Sequence, residues 1–315
     1  MAIPAFVLRR IGLLMVVLIA VSILTFGIVN VLPGDVANAV LGDLATPAQI
    51  LAVRQRMGLD QPLLTRYLLW AGGILQGNFG VSLQHAQPIT PMLLGRLGNS
   101  AILGVLSLLI AAPLAIALGT LAAIRPGGLL DRCISGFAVG AYAMPEYVTG
   151  LLAILVFSIW LYVLPGTSLI DPNDNPLEHP QALVLPVGVL VFGMLAFISQ
   201  VTRASMIQAL ASPYVRTAIL KGMPYRTVIL KHALPNILPP TVTEIGMHFG
   251  YVIGGLVVVE TLFSYAGLGQ LITSAVTFRD IPIIEAGVLV VAAAYGVGNL
   301  VADIAALLLN PRLRT

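Results

Sequence analysis

Few residues in this 315-residue chain have side chains able to do chemistry, and five of its 13 acids stand in apolar surroundings. Glu146, Glu244, Glu260, Glu285 and Asp303 fall in or beside long uncharged runs. A carboxylate in a lipid-covered segment is costly unless it faces protein or water, so acids placed this way serve as proton relays, gates or helix–helix contacts. Asn299 and Asp303 are four apart and share one helix face. Other chemistry finds no frame. Ser199, Ser205 or Ser212 could be paired with His232 as nucleophile and base, but no G-x-S-x-G surrounds them. There is no H-E-x-x-H, and His85, His179, His232 and His248 are scattered, so no metal ligands are assigned. Cys133 is the single cysteine, which excludes an internal disulfide. No G-x-x-x-x-G-K-[ST] is present, so the chain has no phosphate-binding loop and is read as neither an enzyme nor a cofactor protein.

The elements that hold these residues follow from composition. Hydrophobic residues make up 58% and charged residues 9%, against about 45–50% and about 25% in soluble domains. Mean hydropathy is +0.98. Too little charge remains to clothe a soluble fold, and the basic residues lie in short loops rather than on one surface, which argues against nucleic acid. The expected class is an all-α integral membrane protein with about six transmembrane helices. The apolar runs are 11–32, 97–124, 134–164, 183–202, 236–263 and 281–309. The first has 22 uncharged residues, about 33 Å as a helix and long enough to span. Arg9-Arg10 before it and Ala37-Asn38-Ala39 after it also suit a signal peptide, but the run exceeds the usual apolar core of one. Pro145 and Glu146 predict a kink or break in the third run.

Basic residues set the orientation. Arg9, Arg10, Arg125, Arg132, Arg203, Arg216, Lys221, Arg226, Lys231, Arg312 and Arg314 fall on one side with a single acid, Asp131. The other side holds five basic residues and seven acids, and its short loop 165–182 has no Lys or Arg. Both termini are therefore expected in the cytoplasm. The chain divides into an N-terminal end and first span (1–32), an extracytoplasmic segment (33–96) and a five-span core (97–315) with a cytoplasmic loop at 203–235.

Two polar segments remain. In the outer one, Thr46-Pro47-Ala48-Gln49 predicts a helix start with a reciprocal cap, and 61–76 predicts a second helix with Leu and Trp on one face. This segment is either a plug on the bundle mouth or a docking surface for an external partner. In the inner one, Ser212-Pro213 predicts a cap and a first-turn proline, Tyr214 to Lys221 a short helix, and Gly222 its left-handed end. Pro224 opens another helix leading to Leu234-Pro235. Tyr214, Val215, Ala218 and Ile219 give the short helix an apolar surface among Arg216, Lys221 and Arg226. Either anionic lipid or a groove on another protein would cover it.

The inner loop resembles the EAA-type loop of permeases of ATP-binding-cassette importers: E-A-A, three residues, Gly, nine residues, I-x-L-P. Here the frame falls on Arg216-Thr217-Ala218, Gly222 and His232-Ala233-Leu234-Pro235. Ala218, Gly222, Leu234 and Pro235 match; the Glu, the first Ala and the Ile are replaced. The replacements are similar to the oligopeptide/dipeptide branch, with Tyr214-Val215-Arg216-Thr217-Ala218, Lys221-Gly222 and His232-Ala233-Leu234-Pro235-Asn236. The likeness to the first of the two permeases in such systems spans nearly the whole chain. It includes Leu32-Pro33-Gly34-Asp35, Met57-Gly58-Leu59-Asp60-Gln61-Pro62, Gly77-Asn78-Phe79-Gly80-Val81-Ser82, Val259-Glu260-Thr261-Leu262-Phe263-Ser264, Gly267-Leu268-Gly269, Arg279-Asp280, Asn299, Asp303 and Pro311-Arg312. Asn78, Ala266 and Asn310 depart from the usual residues.

The resemblance implies a type I importer permease in a bacterial cytoplasmic (inner) membrane. Its partners would be a second homologous permease, two cytoplasmic ATPases that use ATP and Mg, and an extracytoplasmic solute-binding protein. Tyr214, Val215, Arg216, Thr217, Ala218, Lys221, Gly222, Leu234 and Pro235 would dock an ATPase. Glu260, Asn299 and Asp303 would serve a gate or a permease–permease contact. The solute would be a peptide or a related small molecule. The alternative is a proton-coupled secondary transporter using the intramembrane carboxylates; a passive channel would show a repeated filter or charged ring, and none is visible.

Overall fold

The computed structural model describes residues 3–31, 46–57, 60–171, 174–247 and 249–309. Leu32-Pro33-Gly34-Asp35, Gly58-Leu59, His248 and Pro311-Arg312 therefore lie outside the described residues. Twelve helices are labelled below, each at its first mention.

The first is α1, Ile3–Val31. Two shorter helices follow in the outer segment. In α2, Pro47–Met57, the predicted cap forms reciprocally: the Gln49 amide donates to Thr46 Oγ1 (3.4 Å) and the Thr46 amide to Gln49 Oε1 (2.9 Å). The other is α3, Leu63–Leu75.

The centre of the protein is a pair of long helices, α4 (Ile89–Ile124) and α7 (Pro180–Leu210). At 36 residues, α4 is about 54 Å long and projects past a hydrocarbon core of about 30 Å. It starts eight residues before the predicted run, because Ile89 and Leu93 are buried in an outer apolar cluster. Leu103, Ser107, Ala111, Ala115, Gly119 and Ala123 recur every four residues along α4, and all are buried. This small-residue stripe lets α7 come close. A Cβ on Gly119 would meet the Ser199 carbonyl oxygen at 2.5 Å and Thr202 Cβ at 2.7 Å. The hydroxyls in the seam donate to their own helices, Ser107 to the Leu103 carbonyl and Thr202 to that of Ile198. The close contact therefore leaves those hydroxyls satisfied.

The third apolar run breaks where expected. Helix α5, Leu129–Ala143, and helix α6, Glu146–Ala153, meet at Pro145 with a bend of 103°, α6 continuing as a π-helix over Ile154–Trp160. Asp131 at the start of α5 accepts both guanidinium bonds of Arg203 on α7, at 2.5 and 2.7 Å. It also accepts from the Gly127 amide. Arg203 thus meets the one acid of its side, and a two-bond pair of this kind fixes helix orientation as well as charge.

In the fifth run the described residues form α9 (Leu234–Met247) and α10 (Phe249–Leu262). The chain closes with α11 (Leu268–Thr277) and α12 (Ile281–Leu309). Arg10 of α1 pairs with Asp303 of α12 at 3.1 Å. Among the described residues four helices are long and apolar enough to span, and the bent α5–α6 pair makes a fifth. The expected span over 236–263 is not among these, because His248, between α9 and α10, lies outside the described residues. Gly246 of α9 lies against Ala302 of α12, whereas Gly254 of α10 faces open space.

Replacing Gly119 by Leu should separate the central pair. We expect a loss of about 1–3 kcal/mol, read as a lower unfolding temperature and less monodisperse protein in mild detergent, with Gly136→Leu, in open surroundings, as the tolerated control.

Candidate functional site

The inner loop folds as a rigid corner. Helix α8, Pro213–Leu220, has proline in its first turn as predicted. Ser212 does not cap it. Its hydroxyl donates back to the Ala209 carbonyl, satisfying the end of α7 instead. Gly222 ends α8 with φ +77. The Gly222 amide donates to the Ile219 carbonyl (2.9 Å) and the Met223 amide to that of Ala218 (3.3 Å). This pairing is a Schellman motif, which needs a left-handed residue at that position. After Pro224 one helical turn, Tyr225–Thr227, leads through a π-helical stretch, Val228–Ala233, into α9. Pro235 lacks the amide that would bond the Lys231 carbonyl, and the wider π turn sits where that bond is lost.

The docking residues expected from sequence divide between two faces. Val215 and Ala218 are buried, packed with Met206, Val228, Ile229 and Ile237. They anchor α8 to the spans and are not surface. Leu234 packs at the edge of the same cluster. Tyr214, Arg216, Thr217, Lys221, Gly222 and Pro235 are exposed. Ile219 is exposed too, and so is Leu220, at 79%. Sequence reasoning missed Leu220, although its position one turn beyond Arg216 on the outward face was the available signal.

At the opposite end two carboxylates hold the chain between α10 and α12. Glu260 is fully buried. Its Oε2 accepts from the Gly269 amide (2.7 Å) and the Gln270 amide (3.3 Å), and its Oε1 from the Ser100 hydroxyl (2.5 Å). The carboxylate thus occupies the N-terminus of α11, where free amides and the helix dipole favour negative charge. A Cβ on Gly267 would fall on the same carboxylate, and one on Gly269 would meet Glu260 Oε2 at 3.0 Å and the Val257 backbone at 2.6 Å. Arg96 is close enough to act on Glu260 electrostatically and donates to Gln270 at 3.0 Å. Tyr265 donates to the Asn99 carbonyl, and Asn99 to that of Ala266. Asp280, equally buried, accepts from the Ser82 hydroxyl (2.5 Å) and the amides of Leu83 and Gln84.

Cavities flank this cap. One of about 610 Å³, largely apolar, is bounded by α4, α10 and α12 with Ser100 and Glu260 on its wall. Another of about 830 Å³ lies between α3, residues 78–83 and the start of α12, and includes Arg66, Trp70, Asn78 and Glu285. Glu285 is buried and acts electrostatically on Arg66. Glu260 and Asp303 are not brought together: one caps α11 and the other pairs with Arg10. Asn299 is half-buried one turn before Asp303.

Residues 115–315 match the family described as the binding-protein-dependent transport system inner membrane component. Residues 3–101 match the N-terminal part of such a membrane component. The chain belongs to this family. It is thus a multi-pass inner-membrane transport component, and its full length aligns with several relatives. The probable peptide ABC transporter permease protein y4tP of Sinorhizobium fredii is 35% identical over 309 residues, covering 98% of this chain and 99% of that protein. The dipeptide transport system permease protein DppB of Escherichia coli K12 is 32% identical, covering 98% of each. The glutathione transport system permease protein GsiC of the same strain is 34% identical, also covering 98% of each. A crystal structure of an amino acid ABC transporter with histidines aligns with a TM-score of 0.51 at 19% identity, covering 71% of this chain and 95% of that one. The fold is that of a type I importer permease.

For this transport component the cap makes a direct prediction. Glu260→Ala strands two amides and a hydroxyl, and we expect a loss of about 3 kcal/mol, with Glu260→Gln milder because one amide oxygen still faces α11. Thermal unfolding of the purified protein checks the order of the two; equal stability of Glu260→Ala and wild type would contradict the capping role. At the inner corner, Gly222→Val forces a β-branched residue into the left-handed region, at a cost of about 1–3 kcal/mol. We expect it to insert into the membrane normally but to lose transport in an uptake assay.

Proposed function

We propose that this chain is the membrane-spanning permease of an ATP-driven importer for peptides or a related small solute. It would form the pathway with a second, homologous permease. Two cytoplasmic ATPases would bind ATP and Mg and dock on the inner corner, one on each permease. An extracytoplasmic binding protein would deliver the solute. Both termini would lie in the cytoplasm, as the basic residues suggest.

The observation that carries this reading is the α8 corner. Its inner face is buried among the spans while Tyr214, Ile219 and Leu220 remain exposed beside Arg216 and Lys221. An apolar patch on a helix held outside the bundle fits a protein groove. Because Val215, Ala218 and the Gly222 turn tie α8 rigidly to α7 and α9, a push on the exposed face would move the spans as a unit. The peptide assignment draws on the relatives named for peptide, dipeptide and glutathione transport. The proton-coupled alternative has little to draw on, since Glu260 accepts three hydrogen bonds and Asp303 is ion-paired.

The test is co-purification in mild detergent from native cells through a tag on this chain. A second permease and ATPase subunits are expected, and the assembled complex should take up dipeptides only with ATP. Recovery of the chain alone, under conditions that keep other such complexes whole, would overturn the reading.

A further inference from the structure

We propose that α3 lies within the extracytoplasmic leaflet of the bilayer as a half-depth helix, with its leucine face in lipid. The orientation of the leaflet follows the topology proposed above; the contact with lipid does not depend on it.

The sequence of α3, LLTRYLLWAGGIL, carries a single charge. A helix on a water-covered surface turns its polar residues outward. Here the sense is reversed. Arg66, Tyr67 and Trp70 face inward and are half-buried, while Leu64, Leu68, Leu69 and Leu75 are exposed, Leu75 at 86%. No residue of α3 is fully buried, so among the described residues nothing covers the leucines. At 13 residues the helix is about 20 Å long, too short to cross a core of about 30 Å.

What covers the leucines is indicated by where α3 is attached. It packs on α1, a helix long and apolar enough to span. Tyr67 shares a hydrogen bond with Ser22 (2.8 Å), and Phe26 meets Tyr67 and Trp70 at ring distances of 5.5 Å each. Ile19, Ile23, Leu24 and Ile28 beside these anchors are exposed on α1, as residues facing lipid are. The leucine face of α3 therefore continues an apolar surface that already faces the bilayer. The one charge is also turned inward, the Arg66 guanidinium lying over the Phe26 ring, 5.8 Å from its centre. The C-terminal end suits the same place: the amides of Gly77 and Asn78 bond the Ile74 and Gly73 carbonyls, both at 2.9 Å. Those bonds close off backbone groups that lipid could not satisfy. This differs from both a plug on the bundle mouth and a docking surface for an external protein.

The test uses the whole importer in nanodiscs of phosphatidylethanolamine and phosphatidylglycerol, with cysteine-free partner subunits and Cys133→Ala in this chain. Nitroxide labels are placed at Leu64→Cys, Leu68→Cys and Leu75→Cys in turn, and at the exposed Gln84→Cys as the water-facing control. Retained uptake shows that each labelled importer is assembled. We expect the three α3 labels to collide severalfold more with oxygen than with a water-soluble nickel chelate, the reverse of Gln84, and to be unchanged when binding protein is added. Three results would overturn the proposal. Collisions dominated by the nickel chelate would mean a water-covered helix. Low collision with both would mean burial by the second permease. A drop on adding binding protein would mean a docking surface.

Discussion

The constraint on which the rest of the structure depends is that a chain turning back through a membrane must satisfy its own backbone at every turn. Glu260 meets that constraint where α10 ends. Its carboxylate is the cap of α11, and through Ser100 it is also the link to α4. The Leu268 amide adds to the link by donating to the Ser100 hydroxyl at 2.8 Å. One buried acid thus ties three helices, with Ser100 and Leu268 168 positions apart in sequence. Asp280 repeats the device at the start of α12, holding the turn at Ser82. With its outer end fixed, the bundle has a rigid frame against which the central α4–α7 pair and the bent α5–α6 span can pack.

The same logic explains why motifs that look unrelated in sequence belong together. The Glu260 segment and Gly267-Leu268-Gly269 are two halves of one capping site: any side chain at Gly267 would displace the carboxylate. Gly80-Val81-Ser82 and Arg279-Asp280 are likewise halves of one turn. At the opposite end, around α8, the equivalent frame is apolar. Val215 and Ala218 bind α8 to the spans, and Gly222 sends the chain back toward the membrane. The two ends differ because one turn closes over free helix amides, which want an anion, whereas the α8 corner closes over apolar side chains.

Much of this was legible in the chain. Low charge and long apolar runs gave the class, Pro145 gave the break, and Thr46 with Gln49 and Gly222 gave helix ends that the structure reproduces. These are local signals, carried by residues within one or two turns. What was not legible is long-range. Periodicity places Val215 and Ile219 on one short helix but does not say which side meets the bundle. Ser212 looks like a cap until the end of α7 takes its hydroxyl. Glu260 reads as part of a gate or a permease–permease contact, and nothing in its neighbourhood announces α11 as its partner. Asp303 likewise gives no local sign of its ion-pair partner, Arg10 at the far end of the chain.

As proposed, the outward face of α8 is a protein-docking surface rather than a lipid-bound helix. The most direct measurement is photo-crosslinking from that face in native membranes. Leu220→Cys, in a Cys133→Ala background and modified with a benzophenone maleimide, is irradiated, and the adducts of this chain are identified by mass. The account predicts an adduct to an ATPase subunit. Adducts to lipid alone would contradict it.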